Sequence, residues 1–390
     1  MGRYLKSVVI NFKWHIKIMI EKIVGYIFKG ISINNDKVVF VNMGGEGYGD
    51  NPKFIADALI NEKQELDLVW LSKNVNDIFP KEIRVVKYGT LKSLYELATS
   101  KVWVVNIRNF FRVRKKAGQY IIQTWHAGIG LKRAEGAAID KLSDNYIKEA
   151  KLDGKEADLF LSNSKWLTEQ YRKDFWYSGE ILEKGLPRED FLFGDKDIMH
   201  KKVAEFYGTD EETHFFLYAP TFRADKNFDV YFQNYEELLD KIQKTYGDNY
   251  KIIVRFHHNC KEFQKKIAFN NMILDGTIYP DMNELIIACD WLMTDYSSCM
   301  FDAMLAGKRV ILYASDIEKF ESERGFLFQL SELPFPLCNT ELQLYDCIVC
   351  KEDKLRQERA EFCKKLGFFE GGHASEEVAK RILSVINDEF

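Results

Sequence analysis

Side chains that handle phosphate recur at the ends of predicted strands in this chain: arginine, histidine and a pair of serines. Ser297 and Ser298 lie in Thr294-Asp295-Tyr296-Ser297-Ser298, after the apolar run 285–293 and before a helical pattern from Met300 to Leu305 that closes at Gly307. That order predicts a turn into a helix N-terminus, where unpaired backbone N–H groups and the positive end of the helix dipole favour an anion. Plain helix capping by the serines is the alternative. Arg223 follows the predicted strand at 215–218, and Arg255 and His257 follow the one at 251–254. Arginine binds phosphate through two parallel hydrogen bonds, and histidine donates when protonated. Several such placements in one half of the chain point to a dianionic or pyrophosphate ligand; surface ion pairs for Arg223 and Arg255 are the bland alternative. Thr294 and Asp295 belong to the same turn, with Asp295 either orienting a neighbouring donor or capping the turn.

His126 stands apart, at the end of a predicted strand over 120–123 in the first half. It reads either as a core histidine or, opposite a phosphate-binding domain, as a general base. Downstream, Lys132 and Arg133 either attract an anionic acceptor or begin a solvated helix. No metal site is expected: H-E-x-x-H is absent, and His257-His258 lacks helical spacing. A G-x-S-x-G nucleophile elbow and a Walker A loop are absent too. The loop Gly44 to Gly49 departs from a dinucleotide fingerprint, because counting from Gly45 the third glycine falls on Asp50. It reads as a turn lining a site, before a helix that begins near Asn51-Pro52. Cys347-Ile348-Val349-Cys350 has no second pair at zinc spacing and reads as incidental.

The elements that must position these groups alternate. Short apolar strands at 38–41, 68–71, 102–105, 120–123 and 159–161 are separated in part by helical patterns. A connection at 179–187 and a polar stretch at 194–202 lead to a second series at 215–218, 251–254, 291–293 and 309–313. Two successive α/β halves predict a pair of Rossmann-like domains with a central cleft, and ligands bind beyond the carboxyl ends of such strands. The expected division is a basic segment 1–31, a first domain 32–190 and a second domain 191–390, with the last helix free to pack back on the first. In 390 residues, 46% hydrophobic content supports sizeable cores, and a net charge of −4 argues against nucleic-acid binding. Seven cysteines, an odd number, do not suggest a disulfide framework and fit a reducing cytoplasm.

Residues 1–31 carry six basic residues and one acid. Apolar residues at 12, 16, 19, 20, 23 and 27 share one helical face. A basic amphipathic helix of this kind reads as an anchor lying on an anionic membrane; packing on the protein's own core is the alternative. No run approaches the roughly 18 apolar residues needed to span a bilayer.

With these residues in place, the chain resembles the CDP-glycerol glycerophosphotransferase family of teichoic acid and capsule synthesis, from about Lys37 to the C-terminus. The resemblance rests on ordered motifs: Gly47-Tyr48-Gly49-Asp50-Asn51-Pro52-Lys53, Gln123-Thr124-Trp125-His126, Gly185-Leu186-Pro187-Arg188-Glu189-Asp190, Ala219-Pro220-Thr221-Phe222-Arg223, Arg255-Phe256-His257, Thr294 to Ser298 with Phe301-Asp302, Arg324-Gly325-Phe326, and Gly372-His373-Ala374-Ser375. After His126, Ala127-Gly128-Ile129-Gly130 replaces the Gly-Thr-Pro of the polymerases. The resemblance implies a GT-B architecture with the nucleotide site in the C-terminal half. Its donor would be CDP-glycerol or CDP-ribitol, its acceptor a lipid-linked or polymeric hydroxyl, and its by-product CMP; no cofactor is required. The family's two essential histidines match His126 and His257. Arg223, Arg255, Thr294, Asp295, Ser297 and Ser298 would hold the donor, and Asn51, Lys132 and Arg133 would face the acceptor. Such an enzyme works at the cytoplasmic face of the membrane; its oligomeric state stays open. A nucleotide-sugar glycosyltransferase and a catalytically silent membrane-associated binding protein are the rival readings.

Overall fold

The computed structural model describes residues 23–24, 27–28, 30–62, 65–108, 113–350 and 355–389. The chain forms two compact units. The first comprises Met1–Gly128, Glu135–Asp190 and Phe369–Phe390; the second comprises Ile129–Ala134 and Phe191–Phe368.

The first unit is built on a parallel seven-stranded sheet. Its strands are β1 (Asn34–Val41), β2 (Asp67–Ser72), β3 (Ile83–Lys87), β4 (Ser100–Val105), β5 (Tyr120–Gln123), β6 (Leu159–Leu161) and β7 (Glu180–Leu182), in spatial order β3-β2-β1-β4-β5-β6-β7. The central strands read as unbroken apolar runs because both faces are covered. In β1, Val38 and Phe40 face one core, and Val39 and Val41 face the other. The order reverses between β1 and β4, and that switch point opens a crevice at the carboxyl ends of the strands.

The terminal helix Ala374–Ile386 belongs to this unit although residues 191–368 do not. Its Val378, Ala379, Ile382, Val385 and Ile386 form one buried stripe beside Ile55, Ala56 and Leu59 of the helix Asp50–Asn61. Burial of each larger aliphatic side chain is worth about 1.5–3 kcal/mol, enough to fix the chain's return. Asp190 caps the helix: its carboxylate accepts from the N–H groups of Ala374 at 2.8 Å and Ser375 at 2.7 Å. The Gly-x-Pro-Arg-x-Asp turn therefore ties the end of the chain to its middle.

The second unit has a parallel six-stranded sheet of β8 (His214–Tyr218), β9 (Tyr250–Val254), β10 (Ile273–Asp275), β11 (Trp291–Thr294), β12 (Arg309–Tyr313) and β13 (Leu337–Cys338). Their order is β10-β9-β8-β11-β12-β13, with the switch point between β8 and β11. Its core is rich in aromatics, among them Phe216, Tyr218, Phe232, Tyr235 and Trp291. Near its edge the thiol of Cys347, from the C-x-x-C segment, lies 3.4 Å from that of Cys338.

One departure from a simple cut near residue 190 concerns residues 129–134. Lys132 pairs antiparallel with Phe326, Arg133 N–H donates to the Gly325 carbonyl at 3.2 Å, and Leu327 N–H donates to the Leu131 carbonyl at 2.8 Å. These main-chain bonds place the segment in the second unit.

The amphipathic segment expected over 1–31 lies mostly outside the described residues. Within it, Val24 and Phe28 pack against the first unit's core, with the Phe28 ring edge-on to Tyr95 at 5.9 Å, while Ile23 and Ile27 are exposed. Among the described residues no helix is long and apolar enough to cross a membrane.

Candidate active site

In the first unit, His126 follows β5 directly. Its Nδ1 lies 3.0 Å from the Asn106 carbonyl, which requires Nδ1 to carry the proton in the neutral ring and leaves Nε2 with a lone pair. Burial holds its pKa below the ordinary imidazole value, and the hydrogen bond to Asn106 opposes that only in part. A half-buried, neutral imidazole with one free nitrogen can accept a proton.

The backbone that delivers His126 is strained. Trp125 has φ +54°, a left-handed conformation unusual for a bulky residue. It is fixed from several sides. Asn51 Nδ2 donates to the Trp125 carbonyl at 2.9 Å, and Trp125 N–H donates to Gln123 Oε1 at 3.0 Å. The ring meets Phe175 edge-on at 4.8 Å and Arg108 at 5.9 Å. Arg108 is itself buried between Glu135 and Asp153, at 3.0 Å from each. Asn51, expected to face the acceptor, is instead fully buried, with its second amide atom accepting from Arg188 N–H at 2.9 Å. It joins the Asn-Pro segment to the Trp-His and Pro-Arg motifs. Asn106 extends the frame, accepting from Met43 N–H at 2.7 Å and donating to Asn42 Oδ1 at 2.8 Å. Gly128 has no room for a side chain: a Cβ there would collide with Asn163 Nδ2 and sit 2.7 Å from Glu189 Oε1.

In the second unit, the loops after β8, β9 and β11 leave three adjacent strands at the same edge of the sheet. Arg223 is not a free cation. It is 6% exposed, and its guanidinium donates to Asp316 Oδ2 at 2.8 Å and Oδ1 at 2.9 Å, to Asp295 Oδ2 at 2.8 Å and to the Thr221 carbonyl at 2.6 Å. Tyr296 and Phe320 lie within 4.7 Å and 4.9 Å of it. Burial pushes the Asp316 carboxyl upward, but Arg223 outweighs that and holds it below the usual range. Asp295 also accepts from Thr221 N–H at 2.8 Å and Tyr296 N–H at 2.6 Å, so it locks two loops together and does more than cap a turn. Thr294 is fully buried, its hydroxyl donating to the Ala219 carbonyl at 2.7 Å.

Ser297 and Ser298 remain half-buried at the start of the helix Cys299–Leu305, and the Ser298 hydroxyl makes no capping bond. Arg255 is half-buried and donates through Nη1 to the carbonyls of Gly276 at 2.6 Å and Tyr279 at 2.5 Å. Burial lowers its pKa because its nearest acids, led by Asp281, compensate only in part. His257 is exposed, 6.0 Å from the Phe222 ring. Lys132 and Arg133, expected on the acceptor side, belong to this unit through the bonds to Gly325 and Phe326. Among the described residues no cluster of three or more His, Cys, Asp or Glu side chains could hold a metal.

The sequence nominated the two histidines and the loops after the strands as candidates and passed over Asn42, Asn106, Arg108 and Asp316. Each acts through a partner remote in sequence.

The chain matches the CDP-glycerol:poly(glycerophosphate) glycerophosphotransferase family over residues 26–384. It is 27% identical over 387 residues to a teichoic acid poly(glycerol phosphate) polymerase of Bacillus spizizenii, covering 94% of this chain and 97% of that one. It is 30% identical over 318 residues to a polymerase of the same description in Staphylococcus epidermidis, covering 77% of this chain but only 43% of that longer relative. Its fold is similar to that of the wall teichoic acid polymerase TagF in a crystal soaked with CDPG, at a TM-score of 0.84 and 25% identity, covering 100% of this chain and 98% of that one. A UDP complex of Staphylococcus aureus MnaA shares the fold alone, at a TM-score of 0.53 and 15% identity. The chain belongs to the CDP-glycerol:poly(glycerophosphate) glycerophosphotransferase family and is a transferase of the kind that serves teichoic acid synthesis.

Proposed function

We propose that this protein transfers glycerol phosphate from CDP-glycerol to a hydroxyl of a lipid-linked or oligomeric teichoic-acid-type acceptor. The acceptor oxygen attacks the phosphorus that carries glycerol. The bond from that phosphorus to the bridging oxygen breaks, CMP leaves with the bridging oxygen and its electron pair, and the hydroxyl proton passes to His126 Nε2. The observation that carries this reading is the imidazole of His126, tied at Nδ1 to the Asn106 carbonyl, with no hydrogen bond at Nε2 among the described residues. The donor diphosphate is assigned to the second unit, to His257, Ser297, Ser298 and the Nη2 side of Arg255, whose bonds among the described residues all run through Nη1. Arg223, Asp295, Thr294 and Asn51 act as positioning residues, because their polar atoms are already engaged within the protein. Catalysis here is placement and charge stabilisation, with little covalent work for the protein.

Incubation with CDP-glycerol or CDP-ribitol and a glycerol-phosphate-primed acceptor tests the reaction and its donor preference. CMP is the expected product, and a nucleoside diphosphate would instead favour glycosyl transfer. The His126→Asn variant should fold normally and lose CMP release by about 10²–10⁴-fold, the usual contribution of a general base. Because burial keeps the ring neutral at pH 7, turnover should fall only below the ordinary imidazole range near pH 6.5. The basic N-terminal segment is assigned to an anionic membrane surface, where Ile23 and Ile27 present exposed apolar side chains. Liposome sedimentation with and without residues 1–33 checks that assignment, and equal sedimentation would remove it. The same surface assignment would serve capsule-type as well as wall polymers.

A further inference from the structure

Two cations packed around Tyr296 and Phe320 in the second unit are unevenly compensated. Arg223 lies between two carboxylates, so the cluster of Arg223, Asp295 and Asp316 carries a net negative charge. Such a cluster repels a diphosphate. Lys132 offers the opposite. Its ammonium has no hydrogen bond or ion pair among the described residues, although the side chain is half-buried. It sits 5.5 Å from the centre of the Phe320 ring. The same ring stacks on Tyr296 at 4.0 Å and lies 4.9 Å from Arg223. The lysine is therefore placed beside the turn that leads to Ser297 and Ser298, and its field reaches Asp295 and the helix start at Cys299. Burial makes its charge less favourable, as expected of a cation waiting for an anion.

The placement is built into the backbone. Residues 131–133 are held to 325–327 by the antiparallel pairing at Lys132 and Phe326 and two main-chain hydrogen bonds. Gly325 has φ +68°, and a Cβ there would meet Arg133 Cδ at 2.7 Å, so only glycine lets the strap lie this close.

We propose that Lys132 is a phosphate-binding residue of the nucleotide-donor site, contributed to the second unit by the strap that follows the Trp-His motif. Its ammonium takes an oxygen of the donor diphosphate and supplies the positive charge that Arg223 does not. The inference rests on the assignment of the donor to the second unit.

Isothermal titration of the full-length protein with CDP-glycerol, CDP and cytidine tests it, alongside thermal melts without ligand. Lys132→Met keeps the aliphatic stem over Phe320 and removes the charge; Lys132→Arg keeps the charge. A charge-assisted bond predicts CDP and CDP-glycerol binding weakened about tenfold to a hundredfold in the methionine variant, with cytidine unaffected and arginine restoring part of the loss. Because an unpaired, desolvated charge is removed, the ligand-free Tm should hold or rise. Equal CDP affinity in parent and methionine variant overturns the proposal, as does an equal loss for cytidine. A lower Tm with no rescue by arginine also overturns it, by making Lys132 structural. A parent protein that binds neither CDP nor CDP-glycerol sinks the donor assignment itself, and this inference with it.

Discussion

Replacing Arg223 with methionine separates two roles that an arginine beside a phosphate site can have. The structure gives its guanidinium four hydrogen bonds to protein, three of them to the carboxylates of Asp295 and Asp316. Asp295 is 2% exposed, so the variant leaves a buried carboxylate without its cation. Breaking a buried pair in this way costs about 3–5 kcal/mol. For a domain of roughly 150–250 residues each kcal/mol moves Tm by about 2–4 °C, so a drop of about 6–20 °C is expected. The pH dependence should change as well. In the parent, the Asp316 carboxyl is held below its ordinary value, so its contribution is present above the unfolded value of about 3.9 and is lost as pH falls through the lower folded value. In the variant that stabilisation is missing at neutral pH, and stability should respond less steeply over about pH 4 to 2. Calorimetric melts from pH 7 downward, paired with CMP-release kinetics, measure both effects. A variant that melts like the parent while its CDP-glycerol affinity collapses would refute the positioning role and make Arg223 a direct ligand.

Two further outcomes follow from single contacts. Gly128→Ala drives a methyl group against Asn163 and Glu189; urea unfolding should show a loss of about 1–3 kcal/mol, the usual cost of overpacking, and an unchanged midpoint would mean the loop yields freely. The Cys347 thiol, lowered to about 7 by its hydrogen bond with Cys338, should be the first cysteine alkylated by iodoacetamide, with a rate rising through pH 7. Mass-spectrometric mapping that finds Cys363 modified first would contradict this order.

The division between what sequence carries and what folding adds can be traced through particular residues. The strand-helix rhythm was legible because both faces of each sheet are covered, so strands such as 38–41 and 102–105 read as continuous apolar runs bounded by turns. His126, His257, Ser297 and Ser298 could be nominated as candidates because strand ends are where such sheets expose side chains, and the structure puts them after β5, β9 and β11. The expectations for Asn51, Arg223 and Thr294 were made from residue type, and residue type does not say whether a polar group is already satisfied. Asn51 meets Trp125 and Arg188, and Arg223 meets Asp295 and Asp316, across 72 to 137 positions of chain. Such partners follow from packing, because a buried polar group must find a hydrogen bond wherever the fold brings one. The same holds for chain crossing. The stripe Val378, Ala379, Ile382, Val385 and Ile386 announces an amphipathic helix, but only the uncovered face of the first sheet decides where it docks. Likewise Lys132 is a surface-type residue in the sequence. Only the pairing of its strap with Phe326, permitted by Gly325, made it a cation of the second unit with no ion pair among the described residues.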